Sequence, residues 1–256
     1  MKILRSPSEL RTYQAKSSAS VGFVPTMGAL HRGHLTLVER ARQENDEVVV
    51  SIFVNPLQFD QAADLGNYPR TEESDVVALE AAGVNALFLP TEAQMYGDGG
   101  QYTVDEAPFS QALCGADRPG HFKGVLTVVL KLLNLVRPTR LYLGEKDYQQ
   151  YQLIKGLVEA FFLEIDVIGV PTQRESDGLA MSSRNQRLNP EQRQRAAGLY
   201  RLLQSADSDA WVTAELVKLG FIVDYVVTKD GRRFGAVQLG SGNQAIRLID
   251  NVRISA

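Results

Sequence analysis

Short apolar runs and helix-length amphipathic stretches alternate along most of this chain. Residues 21–24, 48–54, 86–89, 141–143 and 165–170 are the apolar runs. The second of them, Val-Val-Val-Ser-Ile-Phe-Val, is rich in β-branched residues, as are strands buried on both faces of a parallel sheet. Between the runs the periodicity predicts a helix from about residue 34 and another over 72–82 with Val76, Val77 and Leu79 inward. It predicts further helices over 124–136, stopped by Pro138, and over 148–162. Repeated strand–helix–strand order argues for an α/β fold, a Rossmann-like open parallel sheet of five strands covered by helices. Ligands of such sheets bind beyond the carboxyl ends of the strands. The informative polar residues lie there, after Val24, Val54 and Leu143.

Past Pro171 the pattern changes. A polar connector, with Glu175, Ser176, Asp177 and Gly178 and then Ser182, Ser183, Arg184 and Asn185, leads to a helix starting near Pro190, a residue suited to a first helical turn. A helix over 211–219, a strand over 221–227, a turn at Lys229, Asp230 and Gly231, and two short strands complete a small α+β part. The expected division is therefore 1–175 and 176–256.

Composition narrows the class. The 256 residues carry a net charge of −3 with both signs interspersed, so there is no basic footprint for nucleic acid. No run approaches a membrane span, and the first residues hold no long apolar stretch of a signal peptide. A single cysteine, Cys114, excludes an internal disulfide and suits a reducing compartment. A cytoplasmic protein is the expectation.

Two of only three histidines fall in His31-Arg32-Gly33-His34, between a glycine-bearing turn and a helix. A helix start offers unpaired N–H groups and the positive end of the macrodipole, a ready site for phosphate. Two imidazoles there can bind and protonate a phosphoryl oxygen. No P-loop sequence is present. Gly240-Ser241-Gly242-Asn243-Gln244-Ala245 matches G-x-G-x-x-A in letters, but no long helix follows it. One cysteine and three histidines without H-E-x-x-H argue against zinc. Asn55 and Gln58 carry amides that suit a ligand with hydroxyl and carboxylate groups, or simply close a turn. Lys146 and Asp147 precede a helix, where aspartate can cap but lysine is disfavoured by the macrodipole. Ser182, Ser183 and Arg184 can clamp phosphate or form an ordinary polar loop. Arg118 offers another cation, with His121 beside it.

Together these segments resemble one family. Pro25-Thr26-Met27-Gly28, His31-x-Gly-His34, Asn55-Pro56-x-Gln58-Phe59, Tyr68-Pro69-Arg70-Thr71, Gly120-His121-Phe122-x-Gly124, Gly144-Glu145-Lys146-Asp147-x-Gln149-Gln150 and Ser182-Ser183-Arg184-Asn185 are similar, in order and spacing, to the signature blocks of pantothenate synthetases. The resemblance implies ligation of pantoate and β-alanine through a pantoyl adenylate, with release of AMP and pyrophosphate. It implies that Met27, Gly28, Ala29, Leu30, His31, Arg32, Gly33 and His34 lie along ATP, with His34 as proton donor. It implies nucleotide contacts from Gly144, Glu145, Lys146, Asp147, Gln173, Met181, Ser182, Ser183 and Arg184, and catalytic roles for His31, Lys146 and Arg184. Asn55, Gln58, Gln150, Tyr68 and Arg118 would hold substrate. Magnesium would accompany ATP, with Asp75 as its protein partner. A homodimer is expected, and residues 176–256 would be a shortened lid. Another nucleotidyltransferase, which need not read a small hydroxy acid, and a non-catalytic nucleotide-binding protein are the alternatives.

Overall fold

The computed structural model describes residues 1–16, 18–60, 62–242 and 245–254. Asn243 and Gln244 of the G-x-G-x-x-A stretch lie outside the described residues. The chain divides into two compact units, residues 1–145 with 149–170, and residues 146–148 with 171–256.

The first unit runs β1 (Lys2–Leu4), α1 (Pro7–Gln14), β2 (Val21–Thr26), α2 (Arg32–Glu44), β3 (Glu47–Ile52), α3 (Ala62–Gly66), α4 (Glu72–Ala81), β4 (Ala86–Phe88), α5 (Glu92–Met95), α6 (Cys114–Asp117), α7 (His121–Val136), β5 (Arg140–Gly144), α8 and β6 (Asp166–Val170); α8 (Tyr148–Ala160) begins one residue inside the second unit. Its strands form one parallel sheet in the order β1-β4-β3-β2-β5-β6. The α/β expectation holds, but with six strands. The extra one, β1, is three residues at the sheet edge paired with β4, too short to show a period.

Val24, Val48, Val50, Leu87 and Tyr142 from the sheet pack with Leu37, Val38 and Ala41 of α2 and Leu79 of α4. Val77, expected inward, is exposed instead. A ten-residue helix offers one buried stripe, and Asp75 and Leu79, four apart, occupy it. α7 buries most of its length, Val136 included, before Arg137 takes a left-handed conformation and ends it.

The second unit holds α9 (Pro190–Leu203), α10 (Asp209–Lys218) and an antiparallel sheet β7-β8-β9 of Ile222–Lys229, Arg232–Leu239 and Ile246–Arg253. Its separate core joins Leu199 and Leu203, Val212 and Leu216, and Val237 and Leu248. Among the described residues no helix is long and apolar enough to cross a membrane.

Candidate active site

From β2 the chain moves outward through β3 and β4, then returns to lay β5 on the other side of β2. The carboxyl ends of β2 and β5 therefore flank the topological switch point, where open parallel sheets bind ligands. Thr26 ends β2 and Gly144 ends β5, so the turn at 27–30 and the Gly144-Glu145 step start there.

The turn is locally unusual. Gly28 and Ala29 both have left-handed backbones, φ 81 and 49. Gly28 N–H donates to Thr26 Oγ1 at 3.2 Å. Ala29 N–H donates to Asp75 Oδ2 at 2.9 Å and Leu30 N–H to Asp75 Oδ1 at 2.8 Å. The Thr71 hydroxyl donates to Oδ2 at 3.1 Å, and Asp75 is buried. Asp75, expected as the protein partner of magnesium, thus gives both oxygens to donors of this chain. Among the described residues no group of three or more His, Cys, Asp or Glu side chains is arranged to hold a metal ion.

His31 and His34 are themselves the caps of α2. His31 is the N-cap residue, and its Nδ1 accepts from Gly33 N–H at 3.1 Å; His34 Nδ1 accepts from His31 N–H at 3.3 Å. An Nδ1 that accepts carries no proton, so each neutral ring carries its proton on Nε2. The rings lie 4.1 Å apart. The helix start thus holds two adjacent rings in one tautomer, each with a donor nitrogen opposite the backbone it caps.

The turn after β3 meets the turn after β2 through Gln58, whose Nε2 donates to Met27 Sδ at 3.0 Å. Asn55, expected to hold substrate, has partners within this chain. Its Nδ2 donates to Gln58 Oε1 and to the Gly124 carbonyl, both at 3.1 Å. Its Oδ1 accepts from Leu57 N–H at 3.3 Å and from the Tyr96 hydroxyl at 2.6 Å. That is two donors and two lone pairs, the whole capacity of an asparagine. Asn55 shapes the turn that presents Gln58. Tyr68 is buried edge-on against Phe59, ring centroids 5.7 Å apart. Gln150 is partly buried in the first turn of α8. Its neighbour Gln149 is buried and ties Phe109, Ala112 and Cys114 by their backbone.

Arg118, expected on substrate, is also bound within this chain. Its Nε donates to Asp60 at 2.8 Å and its Nη2 to the Gln58 carbonyl at 3.2 Å. His121 Nδ1 donates to the same carbonyl at 2.7 Å. Burial pushes the Asp60 carboxyl up, but the Arg118 hydrogen bond and charge, a backbone bond and His121 together hold it below the usual aspartate range. A carboxyl lowered on folding stabilises the fold above its unfolded pKa and loses that contribution as pH falls through its folded one. Asp60→Asn should therefore lower the urea midpoint at neutral pH, and its deficit against the wild type should shrink below about pH 4. A constant deficit from neutral to acid would mean that this ion pair contributes no stability.

In the second unit, Lys146 and Asp147 lie in a single 3-10 turn ahead of α8, their charges 3.7 Å apart. Asn251 of β9 donates to the Lys146 carbonyl at 2.9 Å, and the Arg232 guanidinium stacks 3.8 Å from the centre of the Tyr148 ring. Gln173 and Met181 are joined: Met181 N–H donates to the Gln173 carbonyl at 2.9 Å, and Glu175 N–H to the Leu179 carbonyl at 2.8 Å. Ser182 caps the short turn Ser183–Arg187, accepting from Arg184 N–H. Arg174 anchors this hairpin by paired bonds to the buried Asp250 carboxylate, at 2.6 and 3.0 Å, and by stacking 3.6 Å from the Tyr200 ring centre. Sequence reasoning missed Tyr96, Arg174 and Asp250. They lie 41 residues from Asn55 and 76 residues from one another, respectively, and no local pattern links them.

An open parallel sheet with a glycine turn and a His-x-Gly-His helix start at its switch point defines an α/β protein that offers an anion-accepting helix start where such sheets bind their ligands. The family model for pantoate-beta-alanine ligase matches residues 2–253. The pantothenate synthetase of Bdellovibrio bacteriovorus is 51% identical over 253 residues, 99% of each chain. The pantoate-beta-alanine ligase of Francisella tularensis, solved in complex with beta-gamma ATP and beta-alanine, superposes with a TM-score of 0.94 at 40% identity over 99% of this chain and 97% of that one. Pantothenate synthetase of Thermus thermophilus superposes with a TM-score of 0.90 at 43% identity over 99% of both chains. The chain belongs to the pantoate–β-alanine ligase family. Its activity is the formation of pantothenate from pantoate and β-alanine.

Proposed function

We propose that ATP drives this ligation in two steps. A pantoate carboxylate oxygen attacks the α-phosphorus, the bond to the β-phosphate oxygen breaks, and pyrophosphate leaves. The β-alanine nitrogen then attacks the acyl carbon of pantoyl adenylate. The bond to AMP breaks and the amine gives up a proton. A carboxylate is a poor acyl donor, and AMP makes a good leaving group. The first step is mainly positioning and charge neutralisation.

The observation that carries this reading is the pair of imidazoles at the α2 start, each accepting a backbone N–H on Nδ1, which leaves Nε2 as its donor nitrogen. There His34, with His31 beside it, donates to phosphoryl oxygens as charge moves toward pyrophosphate. Met27, Gly28, Ala29, Leu30, Arg32 and Gly33 line the nucleotide. Gly144, Glu145 and Asp147 hold its ribose. Lys146, Gln173, Met181, Ser182, Ser183 and Arg184 meet the phosphates. Gln58, Gln150 and Tyr68 hold pantoate, with Gln58 also facing β-alanine and Asn55 fixing the turn. The complex of the Francisella relative with beta-gamma ATP and beta-alanine supports the two small-molecule sites. Magnesium is assigned no ligand on this chain and no step. Residues 176–256 act as the lid domain. The protein works as a homodimer in a reducing cytoplasm, in keeping with a single, buried cysteine.

The test is AMP formation from ATP, with both substrates and with each omitted. AMP should need both, and ATP–pyrophosphate exchange should need pantoate alone. Exchange that requires β-alanine would overturn the adenylate.

Arg184→Ala separates the steps. A guanidinium can follow charge onto departing pyrophosphate with two hydrogen bonds, and in the second step pyrophosphate has gone. Adenylation should slow far more than attack of β-alanine on presynthesised pantoyl adenylate. Equal slowing of both in single-turnover measurements would remove the phosphate role.

A further inference from the structure

Two features of the 27–30 turn have no part in the chemistry above: its consecutive left-handed residues, and the buried carboxylate 46 residues away that meets it. They explain each other. Left-handed Gly28 and Ala29 turn two successive backbone N–H groups, those of Ala29 and Leu30, toward one point. Successive N–H groups so arranged form a concave anion site. Here the anion is the chain's own: Asp75 fills it with one oxygen on each N–H. Two further terms favour the anion there. Asp75 lies in the first turn of α4, where the helix dipole favours negative charge. Thr71, the N-cap residue of α4, makes no side-chain cap bond and gives its hydroxyl to Asp75 instead. Gly28 leaves room for the arrangement: a Cβ there would lie 3.1 Å from both Asp75 Oδ2 and Ile52 Cγ2.

We propose that Asp75 is a positioning residue for the nucleotide turn, holding the backbone of Ala29 and Leu30 in its binding shape before ATP arrives, and is not a metal ligand. The part about ATP rests on the reading that residues 27 to 34 carry the nucleotide; the clamp itself does not.

Asp75→Asn is the direct test. An amide presents one acceptor oxygen and one NH2, so whichever way it turns, one of the two backbone N–H groups faces a donor. The Thr71 hydroxyl can reverse and accept. Amide exchange of Ala29 and Leu30, measured without nucleotide, should speed by roughly tenfold or more in the variant. Binding of ATP in EDTA, read by calorimetry, should weaken by roughly tenfold, with pantoate affinity unchanged. The magnesium concentration for half-maximal activity should not move. Unchanged exchange and unchanged metal-free ATP affinity, with a rise in the magnesium required, would overturn the proposal in favour of a metal ligand. Should Asp75→Asn not fold, Thr71→Val keeps both backbone bonds and removes the third donor. It should then speed exchange of the same two amides by a few-fold, and unchanged exchange would overturn the clamp. Wild-type protein that protects these amides yet binds no ATP would sink the nucleotide reading and leave the clamp standing.

Discussion

Replacing His34 with alanine should cut pantoate-dependent ATP–pyrophosphate exchange by roughly a hundred- to a thousandfold, about 3–4 kcal/mol of transition-state stabilisation. Nucleotide affinity should change far less. His34 also caps α2 by accepting from His31 N–H, so alanine should lower stability as well, by about 1 kcal/mol. His34→Gln separates the two effects. Glutamine at the third helical position can reach back to the N-cap N–H with its amide oxygen, but its amide NH2 cannot titrate and does not reproduce the imidazole ring. Melting temperature should recover in the glutamine variant and exchange should not. Exchange within tenfold of wild type in His34→Gln would show that the chemistry does not need the imidazole itself.

Gly124→Ala should also do damage, by a route that touches no reacting atom. An added Cβ would sit 2.2 Å from the Leu57 carbonyl oxygen and 2.6 Å from Gln58 N. Both are backbone atoms that no rotamer change can remove. α7 is buried along most of its length, so the turn at 55–59 must give way. Overpacking of this kind costs about 1–3 kcal/mol, sometimes more, and should lower the melting temperature by roughly 3–10 °C. The moved turn carries Gln58, so pantoate should bind roughly tenfold or more weakly, with ATP affinity much less affected. Equal losses for ATP and pantoate would mean general unfolding. A lowered melting temperature with unchanged pantoate affinity would remove Gln58 from the substrate site.

What the sequence determined by itself is what short-range periodicity and residue type encode. The β-branched run at 48–54 is of the kind found in strands buried on both faces, and its residues 48–52 lie in β3 at the centre of the sheet. Helix periodicity placed α4, α7 and α8 to within a few residues. Position relative to strand ends placed His31, His34 and Gln58 at the carboxyl edge, because strand and turn follow one another directly in the chain. Even α1 has a local signal, Ser6 capping with Pro7 and Glu9 behind it; β1, three edge residues paired with β4 more than eighty positions on, has none.

The tertiary structure alone decided what each polar side chain does. Asn55, Asp75 and Arg118 are of the right types to hold ligands, and their types do not reveal that Tyr96, the Ala29 and Leu30 amides, and Asp60 already engage them. Likewise nothing near Arg174 in sequence points to Asp250. Such pairs are made by strands and helices that meet after dozens of intervening residues, and a hydrogen bond depends on distance and direction in space. Local sequence carries the propensity to form an element and the chemistry a residue can offer; which partner takes up that chemistry is settled only when the elements pack.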